Sequence, residues 1–117
     1  MAIIILQEKP TKENISKARK EHKEYIKITV DISQELVAIG GEYHADAEKI
    51  LLDTYNSKQA NIWGGGYNIS TEKFETYAII NIRQDPDNQS MEIINPKIRK
   101  EFLQIVNKKL KDIKSLI

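Results

Sequence analysis

Residues 40–48, Gly-Gly-Glu-Tyr-His-Ala-Asp-Ala-Glu, hold the densest group of titratable side chains beside an expected bend of the chain. Two glycines end an apolar run, and the pattern predicts that a helix begins a few residues later. One histidine and three carboxylates crowd this junction, namely Glu42, His44, Asp46 and Glu48. An imidazole beside carboxylates can serve in acid–base catalysis or bind a divalent metal ion. This stretch is therefore the first candidate for a functional site.

Helix geometry narrows the metal hypothesis. Successive helical residues are roughly 100° apart, so Asp46 would lie about 160° around the axis from His44 and could not share an ion with it. His44 and Glu48, four residues apart, stay neighbours, and Glu42 could add a third ligand. A structural interpretation is simpler: the acids oppose the positive end of the helix dipole, and His44 pairs with Glu48. No metal or other cofactor is predicted.

A second polar group is expected at the end of a strand, where Asn81 and Arg83 alternate with two isoleucines. An arginine beside an acidic helix start favours an ion pair first and a substrate clamp second. If His44 and Arg83 meet in one hollow, a hydrolase-like mechanism becomes available. His44 would then be the general base, oriented by Glu42 or Glu48, and Arg83 would stabilise developing negative charge.

Trp63 precedes the run Gly64-Gly65-Gly66. The run lacks the Lys-Ser/Thr pair of a phosphate-binding P-loop, and no helix follows it. We expect a flexible loop with positive φ angles, which would halt a short strand at Asn61–Trp63 and could cover a pocket. Trp63 itself is expected in the core, with a role in binding as the alternative.

The elements that would position these residues follow from periodicity and end signals. Clean alternation of apolar and polar residues over Tyr25–Ile32 predicts a half-buried strand. Thr11 is a candidate N-cap of the first helix, and Asn95-Pro96 is typical of the start of the last helix. On the second helix the apolar side would carry Tyr43, Ala47, Ile50, Leu51 and Thr54. The predicted elements are strands at Ala2–Leu6, Tyr25–Ile32, Leu36–Ile39, Asn61–Trp63, Phe74–Arg83 and Met91–Ile94, and helices at Lys12–Lys23, Tyr43–Tyr55 and Pro96–Ile117.

Apart from the short edge strand at Met91–Ile94, the order is β-α-β-β-α-β-β-α, which indicates an α+β fold with a mainly antiparallel sheet of four or five strands and helices packed on it. The 117 residues favour a single domain spanning 1–117. The chain has no cysteine, which excludes disulfides and thiolate zinc sites. The first six residues are too short to span a bilayer and do not resemble a signal peptide, so we expect a cytoplasmic protein with no membrane partner.

Charge is distributed unevenly along the chain. Residues 1–30 hold seven Lys/Arg against four Asp/Glu, residues 31–95 four against eleven, and residues 96–117 seven against two. This pattern would be explained if the two basic end segments pack beside the acidic middle segment in one domain. The basic last helix also leaves nucleic-acid binding open, although such binding would favour exposed aromatic or base-reading side chains that this helix lacks.

Several short segments together resemble a small family of prokaryotic domains of unknown function over roughly residues 25–106. They are Gly40-Gly41-Glu42-Tyr43-His44-Ala45-Asp46, Ser57-Lys58-Gln59, Trp63-Gly64, Ile80-Asn81-Ile82-Arg83 and Asn88-x-Ser90. The family pattern has Leu where Tyr43 stands and Ser where Ala78 stands. The resemblance implies no activity. It does imply that these polar and aromatic residues share one face: Glu42, His44, Asp46, Gln59, Trp63, Asn81, Arg83, Asn88 and Ser90.

Three functions remain open from the sequence. The first is a binding or assembly module, expected to be homodimeric, with a polar pocket formed by Glu42, His44, Asp46, Trp63, Asn81 and Arg83. Edge strands make such self-pairing favourable. The second is the hydrolase-like enzyme with His44 as general base. The third is nucleic-acid binding through the basic last helix.

Overall fold

The computed structural model describes residues 3–6, 8–20, 22, 24–41, 43–77 and 96–117. The strands are β1 (Ile3–Leu6), β2 (Tyr25–Asp31), β3 (Leu36–Gly40), β4 (Ile62–Asn68) and β5 (Lys73–Tyr77). The helices are α1 (Lys12–Ala18), α2 (His44–Tyr55), α3 (Pro96–Lys109) and α4 (Ile113–Leu116), with a 3₁₀ turn at Gln59–Asn61 before β4. The α+β fold predicted from the sequence is confirmed.

The five strands form one antiparallel sheet in the order β1-β3-β2-β4-β5. β2 lies at its centre, with Thr29 opposite Ala38 of β3 on one side and opposite Gly64 of β4 on the other. The predicted alternation of β2 is confirmed on its core face, where Ile26, Ile28 and Val30 are fully buried. The sheet therefore builds its core on its most regular strand.

Helices cover both faces of this sheet. α1, α3 and α4 share one hydrophobic cluster with the inward side chains of the strands, including Ile15, Trp63 and Phe102. α2 lies on the opposite face against β2, where Thr29 and Asp31 are also buried. β2 is thus covered on both sides, more than its half-buried pattern indicates. No helix among the described residues is long and apolar enough to cross a bilayer.

The bend at Gly40-Gly41 is confirmed, because both glycines have φ near +90° (92° and 89°), a region that other residues rarely adopt. Thr11 caps α1 as predicted: its Oγ1 accepts from the backbone N–H of Asn14 at 3.1 Å, and the Asn14 side chain accepts from the N–H of Thr11 at 3.0 Å. Local side-chain chemistry thus fixes these two boundaries.

Two helix ends were predicted wrongly. α1 ends at Ala18 rather than Lys23, because the residues that follow Ala18 offer no continuing apolar stripe to bury. The last helix does not run unbroken to Ile117: α3 ends at Lys109, and a turn through Leu110 leads into α4. That turn keeps both Leu110 and Ile113 in the core, with exposed fractions of 0% and 2%.

The flexible loop predicted at Gly64–Gly66 is also wrong. These glycines form the middle of β4, and none has a positive φ. They are needed for close approach, since a Cβ at Gly65 would overlap the Glu75 carbonyl oxygen and the Phe102 ring. Aromatic rings lie where side chains would otherwise stand. The predicted Met91–Ile94 strand, the Asn95 cap and the end of the Phe74–Arg83 strand lie outside the described residues.

A buried carboxylate joins the β2–β3 turn to α2. Asp31, 1% exposed, accepts hydrogen bonds from the backbone N–H groups of Ser33 and Gln34 at 2.9 and 3.2 Å. Its other oxygen accepts from the Gln34 side chain at 2.8 Å, and the same Gln34 nitrogen reaches the Tyr55 carbonyl at 3.0 Å. The turn therefore holds the C-terminal end of α2 against the sheet.

Replacing Gly65 by alanine tests the close approach in β4. The added Cβ would press on backbone and on a buried ring at once, so we expect Gly65→Ala to lower the free energy of unfolding by about 3 kcal/mol. Gly64→Ala is the matched control. Its Cβ would meet the His44 ring at 3.1 Å, a contact that a small ring shift relieves. Urea denaturation measures both, and equal small losses would contradict the close approach.

Candidate functional site

His44 is the first residue of α2 and lies directly after the bend at Gly40-Gly41. Its ring packs against the backbone of Gly64, and its Nε2 is 2.8 Å from the Gly65 carbonyl oxygen. Because a carbonyl can only accept, Nε2 carries the hydrogen and donates it. The side chain is 9% exposed. His44 therefore ties the start of α2 to the centre of the sheet.

Burial sets the protonation state of this histidine. Desolvation lowers the pKa of His44 below its ordinary value of 6.5, the hydrogen bond to Gly65 opposes that effect, and the positive charge of Lys27 lowers the pKa further. His44 is therefore neutral at pH 7. With Nε2 engaged, Nδ1 is the atom through which a neutral His44 would accept a proton.

The carboxylates near His44 serve separate neighbours. Asp46 is half-buried in the first turn of α2, where its negative charge suits the helix dipole. Glu48 is half-buried about one turn after His44. Burial raises the pKa of its carboxyl, and a hydrogen bond from Gln59 opposes the rise. Over the part of the chain that the structure describes, no group of three or more histidines, cysteines or acids could hold a metal ion.

Trp63 lies on the other face of the sheet from His44. It is 2% exposed and belongs to the hydrophobic cluster that also holds Phe102. Along β4, Trp63 and Gly65 face α3, whereas Gly64 faces α2 and the His44 ring. The structure therefore does not bring Trp63 to the face of the sheet that His44 contacts.

Tyr43 is also displaced from its predicted position on the apolar side of α2. It is the N-cap residue with extended backbone, and 62% of it is exposed. His44, not Tyr43, makes the buried contact at this end of the helix. Of the other predicted site residues, Glu42, Asn81, Arg83, Asn88 and Ser90 lie outside the described residues. The general-base mechanism, which needs Arg83 near His44, stays a prediction.

The sequence interpretation did not connect His44 with two residues of β2 on the same face of the sheet, Tyr25 and Lys27. Lys27 of β2 lies close enough to influence the His44 charge, and its Nζ stands 5.8 Å from the centre of the Tyr25 ring. The Tyr25 ring in turn occupies the space above Gly66. A signal was present, because Tyr25 and Lys27 alternate with the buried isoleucines and so had to face the other way.

These features define a class: a five-stranded antiparallel α+β protein with helices on both faces and a buried histidine linking helix and sheet. Residues 4–109 match the family model described as protein of unknown function (DUF5674). The chain belongs to this family, which confirms the resemblance to a family without known activity. No curated protein matches the chain. Nor does any solved structure match it.

The lowered pKa of His44 predicts a pH-dependent stability. The unfolded chain binds a proton at this histidine near pH 6.5, whereas the folded chain resists it to lower pH. The contribution of neutral His44 to the free energy of unfolding is therefore complete above about pH 6.5. It is lost as the pH falls below that value and passes through the pKa of His44 in the folded state. We expect thermal denaturation to show this loss in the native protein.

His44→Gln is the matched variant, since glutamine retains an N–H donor but does not titrate in this range. Its stability should change less than that of the native protein as the pH falls from about 7.5 to about 5.5. The half-buried Glu48 titrates in both proteins, so the comparison isolates His44. Parallel pH profiles for the two proteins would contradict the assignment.

Proposed function

We propose that this protein is an assembly module that forms a homodimer by pairing the β1 strands of two copies. The observation that carries the proposal is the position and composition of β1. It lies at one edge of the sheet, paired only with β3 among the described strands, and it consists of Ile3, Ile4, Ile5 and Leu6. An edge strand offers unpaired backbone groups to another strand.

The two outermost of the described strands differ in their chemistry. β5, the last strand in that order, carries the charged residues Lys73 and Glu75 along its five positions. Charges on an edge strand discourage pairing between molecules, and β1 has neither a charge nor a proline. Two copies of β1 can pair antiparallel about a twofold axis without bringing like charges together. A second copy of the chain is therefore the partner that this edge fits.

The open space beside β1 also favours a second copy of the chain as the partner of this strand. An open groove of about 590 Å³ runs along Ile4, Ile5 and Leu6 and is bordered beyond the strand by Glu8, Lys9, Thr11 and Asn14. Leu6 and Ile4 face the main core, while Ile3 and Ile5 alternate toward the α2 face. A paired strand would cover the half-exposed isoleucines on both faces and satisfy the open backbone edge.

The proposal does not depend on the polar pocket expected around His44 and Arg83. In the described residues His44 links α2 to β4, and its donor nitrogen is engaged. Assembly through β1 needs neither residue. The proposed location of the protein is the cytoplasm.

Light scattering coupled to size-exclusion chromatography tests this assembly. We expect the native protein to show a mass near twice the monomer's 13.5 kDa, with the dimer fraction rising with concentration. The substitution Ile5→Lys would bring a lysine from each copy into the paired interface. We expect the dissociation constant of the dimer to rise roughly tenfold or more.

The matched control is Ser70→Lys, which adds the same charge at an exposed residue in the turn between β4 and β5. It should dimerise like the native protein. Circular dichroism melting confirms that both variants fold. A native protein that stays at the monomer mass at every concentration, or equal weakening by both variants, would overturn the proposal.

A further inference from the structure

A row of lysines lies along the outer side of α3. At roughly 100° per residue, Lys97, Lys100 and Lys108 fall within about 80° of one another, with Gln104 between them. This side is opposite the buried Phe102, Ile105 and Val106. From Lys97 to Lys108 the row extends about 16 Å along the helix axis, at 1.5 Å per residue. Lys111, in the turn after α3, continues it toward α4.

Within the described residues, three lysines of this surface have no acidic partner. Lys114 pairs with Glu72 at 2.9 Å, and Lys17 of α1 pairs with Glu13 at 3.2 Å. Lys100, Lys108 and Lys111 are exposed and have no acidic partner in the described parts of the chain. Their charge is therefore available to an external anion.

The fold adds cations from a distant part of the sequence to the same layer. α1 and α4 pack together on the α3 side of the sheet, and a hollow of about 290 Å³ between them is lined by Lys12, Arg19 and Ile117. Residues 12–20 hold four Lys/Arg against one acid, and residues 96–117 hold seven against two. α2, on the opposite face, holds three acids against one lysine. The helices on the two faces of the sheet thus differ in net charge.

We propose that the layer of α1, α3 and α4 binds the phosphate backbone of duplex nucleic acid, without sequence preference. Phosphates follow each strand of a duplex at 3.4 Å per step along its axis, so a 16 Å row of lysines would run beside about five of them. Lysines bind phosphates as point charges and read no base edges from this position.

Other polyanions fit this surface less well. Single strands are held by stacking on aromatic rings, and Phe102 on α3 is fully buried. An anionic membrane favours exposed apolar side chains beside the lysines. Among the described residues the large exposed apolar side chains are Tyr43, on the α2 face, and Ile117. On the basic layer, Ile117 is the large exposed apolar side chain among the described residues, which is less apolar surface than a membrane anchor provides, and the remaining charge matches a phosphate backbone better.

Fluorescence anisotropy with a labelled DNA duplex of about 20 base pairs tests the proposal. We expect binding at about 50 mM salt that weakens steeply toward 200 mM, with a log–log slope near −3 for three to four contacts. The triple variant Lys100→Gln/Lys108→Gln/Lys111→Gln should lose about 30-fold or more in affinity at the lower salt and should flatten the slope.

The matched control removes the same net charge from the other face: Lys49→Gln/Lys58→Gln/Lys73→Gln, all at exposed positions. It should lose less than about threefold. Duplex RNA binding at similar affinity counts in favour of the proposal. No duplex binding, equal losses in the two triple variants, or tighter binding to single-stranded DNA or to phosphatidylserine vesicles would overturn it. All six lysines are exposed, and thermal melting confirms that both variants fold.

Discussion

The structure depends on how closely other groups approach the backbone of β4. Gly64 and Gly65 expose bare backbone on opposite faces of the sheet, and an aromatic ring fills each space: His44 from α2 on one face and Phe102 from α3 on the other. Helices on both faces therefore pack against a single central strand at adjacent residues. The hydrogen bond from His44 to the Gly65 carbonyl fixes the orientation of α2 at the same point.

This arrangement separates the two faces in chemistry as well as in space. On the α3 side, the contact at Gly65 belongs to the large hydrophobic cluster that includes Trp63 and Phe102. On the α2 side, polar groups are buried beside apolar ones: His44, Thr29 and Asp31 are fully or nearly enclosed there, and so are Ala47 and Leu51 of α2. The sheet thus has a mainly apolar core beneath the basic helices and a layer that mixes apolar and hydrogen-bonded polar groups beneath the acidic one. Burial of polar groups in that second layer requires partners, which Gly65 and Gln34 supply.

Much of the fold could be predicted from local patterns. The alternation of β2, the glycine bend after β3 and the Thr11 cap each depend on a few adjacent residues, and each is confirmed. The run Gly64–Gly66 could not be assigned in this way, because three glycines signal either freedom or close approach, and only tertiary packing decides between them. The predicted position of Tyr43 on the apolar side of α2 was wrong for a similar reason. A helical wheel assumes that the helix includes the residue, and here it stands one position before the first turn.

The sequence predicted the position of His44 in the candidate site but not which residues surround it. His44 and Glu48 lie close to the bend as expected, but which face of the sheet Trp63 meets depends on the register of β4, which no local pattern contains. Gln59, grouped with His44 by the family resemblance, forms a hydrogen bond with Glu48, which that group did not include.

The strand order also constrains when the sheet can be completed. β1 is synthesised first, yet its partner in the sheet is β3, with Leu6 opposite Val37, roughly thirty residues later. α1 and β2 must therefore emerge before the first strand has anything to pair with. During translation the apolar Ile3–Leu6 segment therefore remains without its native strand partner for that interval, and transiently exposed apolar surface of this kind favours aggregation of the unfinished chain.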